Sequence, residues 1–264
     1  MFLAKHRLNE LPGTVYLVGA GPGAVDLLTL RALRILEAAD IVFHDALVNP
    51  DVVALAIRAE KVAVGKRCGR HSTAQRFIDK RLVDAARTHR VVVRLKGGDP
   101  SIFGRAGEEL RALRAAGVSC EIVPGITAAL AASAALGVPL TQRGVARSFA
   151  FVTPRHGDGE AAHDWAHAAA TCDAGAIYMG AGDAARTAAD MIRAGRSATT
   201  PVAIVTDASL ASEHIEWTTL RNLTEHGTTP ATGPALLLFG PQFTAHADES
   251  AALASAIDAR RYCK

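Results

Sequence analysis

The sequence predicts an α/β fold in two domains, the first built on a parallel sheet. Two observations carry that prediction: short, near-continuous apolar runs alternate with segments of helical period, and several of the runs end in Gly/Pro-rich turns. A third is compositional. Of 264 residues, 49% are hydrophobic and 21% charged, which is ample for a core and excludes disorder across the chain.

Residues 14–18 (TVYLV) read as a buried strand running into the glycine-rich turn 19–23. Residues 27–39 predict a helix with Leu30, Leu33 and Leu36 on its apolar face and Asp26 as the N-cap. A second strand follows at 41–44. Residues 73–88 predict a helix that turns Ile78, Leu82 and Ala85 inward, and 91–95 (VVVRL) a strand that opens into Lys96-Gly97-Gly98-Asp99-Pro100. A helix at 105–116 and a strand at 120–123 complete the first pattern. The uncharged stretch 122–142 has the length of a membrane span, but Pro124, Gly125, Gly137 and Pro139 break it. It reads as a strand end, a turn, a buried Ala-rich helix and a second turn.

Beyond residues 142–147 the pattern restarts, with strands expected at 149–153, 176–179, 201–205 and 235–239 and a helix at 184–194. The expected organisation is an N-terminal tail at 1–13, domains at 14–142 and 143–243, and a C-terminal tail at 244–264. In such sheets ligands sit beyond the carboxyl ends of the strands.

Lys and Arg number 29 against 26 Asp and Glu, a net charge of +3 without basic blocks, and aromatics are 5%. Neither a nucleic-acid partner nor a base-stacking surface is expected. The four cysteines (Cys68, Cys120, Cys172, Cys263) include no CxxC pair, so reduced thiols and a cytoplasmic setting are expected, without a zinc ribbon. Residues 1–12 lack the apolar core of a signal peptide.

Three strand ends carry the candidate chemistry. Residues 19–24 match G-x-G-x-x-A, which fits either a flavin- or NAD(P)-binding oxidoreductase or a tight strand-to-helix turn. Pro22 removes a donor and favours the second. In residues 96–109 the paired Gly97 and Gly98 expose main-chain groups beside the acceptor Asp99, and Arg105 and Glu108 are spaced for an i,i+3 ion pair. Residues 123–128 (VPGITA) form the third, with Thr127 placed to cap a helix. All three would meet at one sheet edge. Basic residues collect in loops at 65–72 (GKRCGRHS) and at Arg143, Arg147 and Arg155, a distribution suited to a polycarboxylate.

With VYLVGAGPGAVDLLTLRAL, FHDALV, VGKRCGRHS, RLKGGDPSIFGRAGEE, VPGITAALAA and GVPLTQRG in this order, the chain resembles the tetrapyrrole methylases over residues 14–239. Within them it resembles the branch that methylates uroporphyrinogen III. The resemblance implies a parallel-sheet N-terminal domain and a mixed-sheet C-terminal domain with the active site in the cleft between them, normally in a homodimer. It implies S-adenosyl-L-methionine as methyl donor, S-adenosyl-L-homocysteine as by-product, and two methylations through precorrin-1 to precorrin-2, with no metal. Carried over by position, the cofactor contacts are Pro22, Gly97, Gly98, Asp99, Ile102, Thr127, Ala128, Met179 and Ala208. Asp45 and Lys66 fall on the acid/base pair, and Arg105, Glu108 and Arg143 on positions tied to substrate binding or, for Arg105, catalysis. Three positions depart from the pattern: Ala106 stands for a glycine, Gln142 for a histidine, and Thr153-Pro154-Arg155-His156 for a T-G-H run.

Overall fold

The computed structural model describes residues 13–64, 72–157, 163–228 and 233–244. The chain divides into two compact units, Met1–Ala128 and Ala129–Lys264, each with its own five-stranded sheet.

In the first unit the strands are β1 (Thr14–Gly19), β2 (Ile41–His44), β3 (Glu60–Ala63), β4 (Val91–Lys96) and β5 (Ser119–Val123), in the order β3-β2-β4-β1-β5. Every neighbouring pair is parallel. Helices α1 (Leu30–Ala38) and α2 (Pro50–Ala54) supply Ala32, Leu36, Val52 and Val53 to one apolar cluster, against Val18, Val42, Val93 and Leu95. Helices α3 (Ser72–Ala86) and α4 (Ala106–Ala115) supply Ile78, Leu82 and Leu113 to the other, against Val15, Leu17, Phe43 and Val92. Successive residues of one strand thus bury on opposite faces, which is why these strands read as unbroken apolar runs. The inward face expected for Ile78, Leu82 and Ala85 is present, all three being buried.

The second unit carries β6 (Phe149–Val152), β7 (Ala174–Ile177), β8 (Pro201–Thr206), β9 (His214–Thr219) and β10 (Ala235–Phe239), in the order β6-β7-β10-β8-β9. Only β6 and β7 run parallel, so this sheet is mixed, as expected. Helices α6 (Trp165–Thr171), α7 (Ala184–Arg193) and α8 (Leu220–His226) accompany it. Helix α5 (Ala128–Leu136) starts at the last residue of the first unit. The core here gathers Ile177, Met191, Ile204, Leu223, Leu237 and Phe239. Among the described residues no helix is long and apolar enough to cross a membrane.

Several elements differ from expectation. Residues Val25–Leu27 form a 3-10 turn, and α1 starts only at Leu30, capped by Thr29, whose hydroxyl accepts from the Ala32 amide at 3.1 Å. Asp26 sits inside the turn and caps nothing, and Leu30 is 70% exposed. Strand β7 lies two residues earlier than 176–179, because Met179 takes φ +58 and cannot extend a strand. The short elements α2, β3, α6, β9 and α8 carry too little period to be read from sequence. Strand β9, for instance, is a half-buried edge with no clean alternation.

Candidate active site

Strands β4, β1 and β5 are parallel neighbours, so their three Gly-rich ends emerge at one edge. There they bond to one another. The Gly98 amide donates to the Gly21 carbonyl at 2.7 Å, and the Gly21 amide donates to the Gly98 carbonyl at 3.2 Å. Asp99 ties the third end in: its Oδ2 accepts the Gly125 amide at 2.9 Å, while Oδ1 accepts the Ser101 amide at 2.7 Å and the Ser101 hydroxyl. The Asp99 carboxylate therefore shapes the loops, on top of whatever it offers a ligand.

Two glycines are demanded by these contacts. A Cβ on Gly125 would lie 2.4 Å from the Gly98 carbonyl oxygen, and one on Gly19 would lie 2.6 Å from the Gly125 nitrogen. Both clashes are with backbone, which has no rotamer to yield. Gly125→Ala is expected to destabilise the first unit by about 1–3 kcal/mol, the usual cost of overpacking. An unchanged urea midpoint would contradict it.

The same bonds answer the alternative posed by residues 19–24. Gly21 spends its amide on Gly98, and a 3-10 turn follows where a phosphate cradle needs an α-helix N-terminus. This loop is a packing wall.

Gly97 is different. A Cβ there would meet nothing within 4 Å, and at Gly98, which has φ +63, the nearest atoms would be Thr127 Cα at 3.7 Å and Ala128 N at 3.9 Å. Main chain at Gly97 and Gly98 thus faces free space edged by Thr127 and Ala128. Ile102 follows, its amide donating to the Asp99 carbonyl at 3.2 Å, and half-buried Pro22 adjoins the bridging Gly21. The arrangement leaves room for a ligand held mainly by backbone and small side chains.

Next to this edge lies a buried charged cluster. Asp45 directly follows β2, and its amide donates to the Leu95 carbonyl of β4 at 3.3 Å. Its carboxylate Oδ1 accepts from Nη2 of Arg94, whose Nε donates to Glu109 Oε1 at 2.9 Å and whose Nη1 donates to the Leu95 carbonyl at 3.2 Å. Lys96 Nζ donates to both Glu109 oxygens, at 3.2 and 3.1 Å. Side-chain exposure is 3% for Arg94, 5% for Lys96 and 0% for Glu109, against 32% for Asp45. Burial opposes the Arg94 charge, but Asp45 and then Glu109 outweigh it and raise its pKa above the ordinary arginine value. Burial, and after it the Arg94 cation, push Lys96 below the usual lysine range, with Glu109 opposing. The only sequence signal for this cluster is the charge inside the apolar run VVVRL.

Arg105 and Glu108 form the ion pair their spacing predicts, doubly bonded at 2.7 and 2.8 Å. Those bonds hold Glu108 below the usual glutamate range against its partial burial. Arg105 itself takes φ +55 ahead of α4, and Ala106 is buried in the core, so the extra methyl packs without disturbing the helix start.

Lys66 lies outside the described residues. In the second unit, Met179 is 47% exposed at φ +58, not a core residue. Ala208 is buried between Asp207 (φ +51) and Ser209 (φ +74). Arg143 is exposed in a tight turn closed by Gln142 and Ala146, and with Arg147 it lines an open depression of about 420 Å³. Among the described residues, the five non-glycine residues with positive φ, namely Phe103, Arg105, Met179, Asp207 and Ser209, belong to loops that carry candidate positions or flank them. Such strain concentrates at functional loops.

Comparison with known proteins identifies the family. The family model of tetrapyrrole (corrin/porphyrin) methylases matches residues 14–224. The chain is 46% identical to a siroheme synthase of Psychrobacter sp. (strain PRwf-1) over 230 residues, 86% of this chain and 47% of the relative. It is also 46% identical to that of Sodalis glossinidius (strain morsitans) over 246 residues, 92% of this chain and 52% of the relative. The chain therefore spans about half the length of these curated relatives. A uroporphyrin-III C-methyltransferase of Thermus thermophilus complexed with S-adenosylhomocysteine superposes with a TM-score of 0.76 at 40% identity, covering 86% of this chain and 92% of that one. Matched through most of its length in sequence and fold, the chain belongs to the tetrapyrrole methylase family.

Proposed function

We propose that this chain is an S-adenosylmethionine-dependent C-methyltransferase that methylates uroporphyrinogen III twice, through precorrin-1 to precorrin-2. The observation that carries the reading is the open Gly97–Gly98 backbone edged by Thr127 and Ala128, in a chain similar to a methyltransferase solved with S-adenosylhomocysteine. The names of the long relatives favour siroheme as the end product; cobalamin and heme d1 draw on the same intermediate. The family likeness supports a cytoplasmic homodimer.

The residues present fit that cofactor. When bound, S-adenosylmethionine supplies a methyl group on a positively charged sulfur, an electrophile for an electron-rich carbon. The chain's own work is alignment and exclusion of water. Gly97, Gly98 and Ala128 bring main chain close, and Met179 and Ala208 are assigned to the same ligand. Arg105, held by Glu108, and Arg143 present guanidinium groups to the substrate's carboxylates. After methylation the macrocycle carries a positive charge and must lose a proton. Asp45 is the acceptor, with Lys66 as its acid/base partner. A cation of this kind is a strong acid, so a carboxylate can take its proton.

The test is incubation with uroporphyrinogen III and a labelled methyl donor. Two labels per macrocycle are expected, and no incorporation by folded protein would defeat the reading. Calorimetric titration with S-adenosylhomocysteine, NAD(P) and FAD separates it from an oxidoreductase, which would bind one of the latter two.

A further inference from the structure

The buried charges beside Asp45 form a device that the chemistry above does not use. Residues 92, 94 and 96 of β4 point toward α3 and α4, because strand residues alternate and Val92 packs in the cluster with Leu82 and Leu113. Arg94 and Lys96 are thereby driven into the layer between sheet and helices, where Glu109 meets them from α4. All three guanidinium nitrogens of Arg94 are engaged: Nε by Glu109, Nη1 by the Leu95 carbonyl, Nη2 by Asp45. Such a group cannot rotate, so the oxygen it holds is fixed as well.

We propose that Arg94 is a positioning residue that fixes the Asp45 carboxylate for proton removal, with Glu109 and Lys96 holding Arg94 in place; this rests on the reading of Asp45 as the base. Charge counting supports it. Arg94 and Lys96 against Glu109 leave one buried positive charge, which the Asp45 carboxylate balances. The Asp45 carboxylate is thus part of the charge balance of the buried cluster. Among the described residues its Oδ1 is committed to Arg94 and its Oδ2 accepts from no side chain, so one oxygen is anchored and the other remains for the proton. Unlike the three buried residues, the Asp45 side chain is partly exposed.

Among the described residues, the charged and titratable groups around Asp45 are Arg94 and Lys96 on β4, Glu109 on α4 and the adjacent His44 on β2, with Asp79 of α3 bonded to Gln75, which in turn reaches Glu109 at 3.5 Å. Of these only Arg94 bonds the carboxylate, so removing it is expected to act on the base more than on either ligand's affinity.

The experiment is a double-mutant cycle of Arg94→Gln and Asp45→Asn in the intact chain. For Arg94→Gln, kcat is expected to fall about 10²-fold, the scale of a misplaced catalytic group. S-adenosylhomocysteine affinity should stay near the parent's, so that the loss falls on kcat. Arg94→Lys, which keeps the charge and loses the fork, should recover part of the rate. In the double variant the two effects should fail to add, because Arg94 acts through Asp45. Additive effects, or a folded Arg94→Gln with parental kcat, overturn the proposal. So does failure of both Arg94 variants to fold, which would make Arg94 a stability residue alone. Parental turnover in Asp45→Asn by itself refutes the base assignment, and is read independently of Arg94.

Discussion

Replacing Asp45 by asparagine is expected to lower kcat by about 10²- to 10⁴-fold, the range over which a positioned general base acts. Asparagine is nearly isosteric and still offers Oδ1 to Arg94, so the local structure should survive. What it lacks is an oxygen able to take a proton. S-adenosylhomocysteine affinity should change little, because Asp45 follows β2 whereas the open glycine backbone follows β4 and the residues edging it lead into α5. Steady-state turnover with a labelled methyl donor, set beside calorimetric affinities, makes the comparison. Turnover at the parental rate would reject Asp45 as the base.

The largest effect on stability is expected at Glu109. Its carboxylate is fully buried and is the counter-charge shared by Arg94 and Lys96. Glu109→Gln leaves two buried cations with Asp45 alone. Breaking a buried pair in this way costs about 3–5 kcal/mol, a large part of the roughly 5–15 kcal/mol that holds a domain folded. Adding Lys96→Met should recover part of the loss, since the remaining Arg94–Asp45 pair is balanced. A pH dependence follows from Lys96, whose folded-state pKa is depressed by burial. Between that value and the unfolded one the unfolded chain binds more protons, so stability rises with pH there and is lost as pH falls. Without Glu109 the depression deepens, and the variant should gain more stability than the parent as pH is raised from neutrality toward the lysine range. Urea unfolding of both proteins across that interval tests it. Equal slopes would contradict the assignment.

The two layers of evidence divide along physical lines. The glycine-rich strand ends were legible because the demand is local: a backbone that must approach another backbone excludes Cβ, and Gly19 and Gly125 advertise this in the chain itself. The apolar strands and the inward face of α3 were legible for a similar reason, since burial on both faces of a sheet or one face of a helix imposes a period. Misreadings occurred where two short-range signals competed. Asp26 looks like a cap, but Thr29 is the residue whose extended backbone and hydroxyl meet the first turn of α1.

By itself, then, the sequence determined the α/β class, the three loops and the family. Only the tertiary structure decided which charges belong to the site. Arg94 reads as one polar residue in an apolar strand, and Glu109 as the second of two acids opening a helix. They lie 15 residues apart, and Asp45 is 49 from Arg94. Their meeting depends on β2 and β4 pairing in parallel and on α4 packing across the face that Arg94 occupies. Coulomb attraction becomes selective only after that packing has removed water, and no period or motif in the chain records where water will be absent.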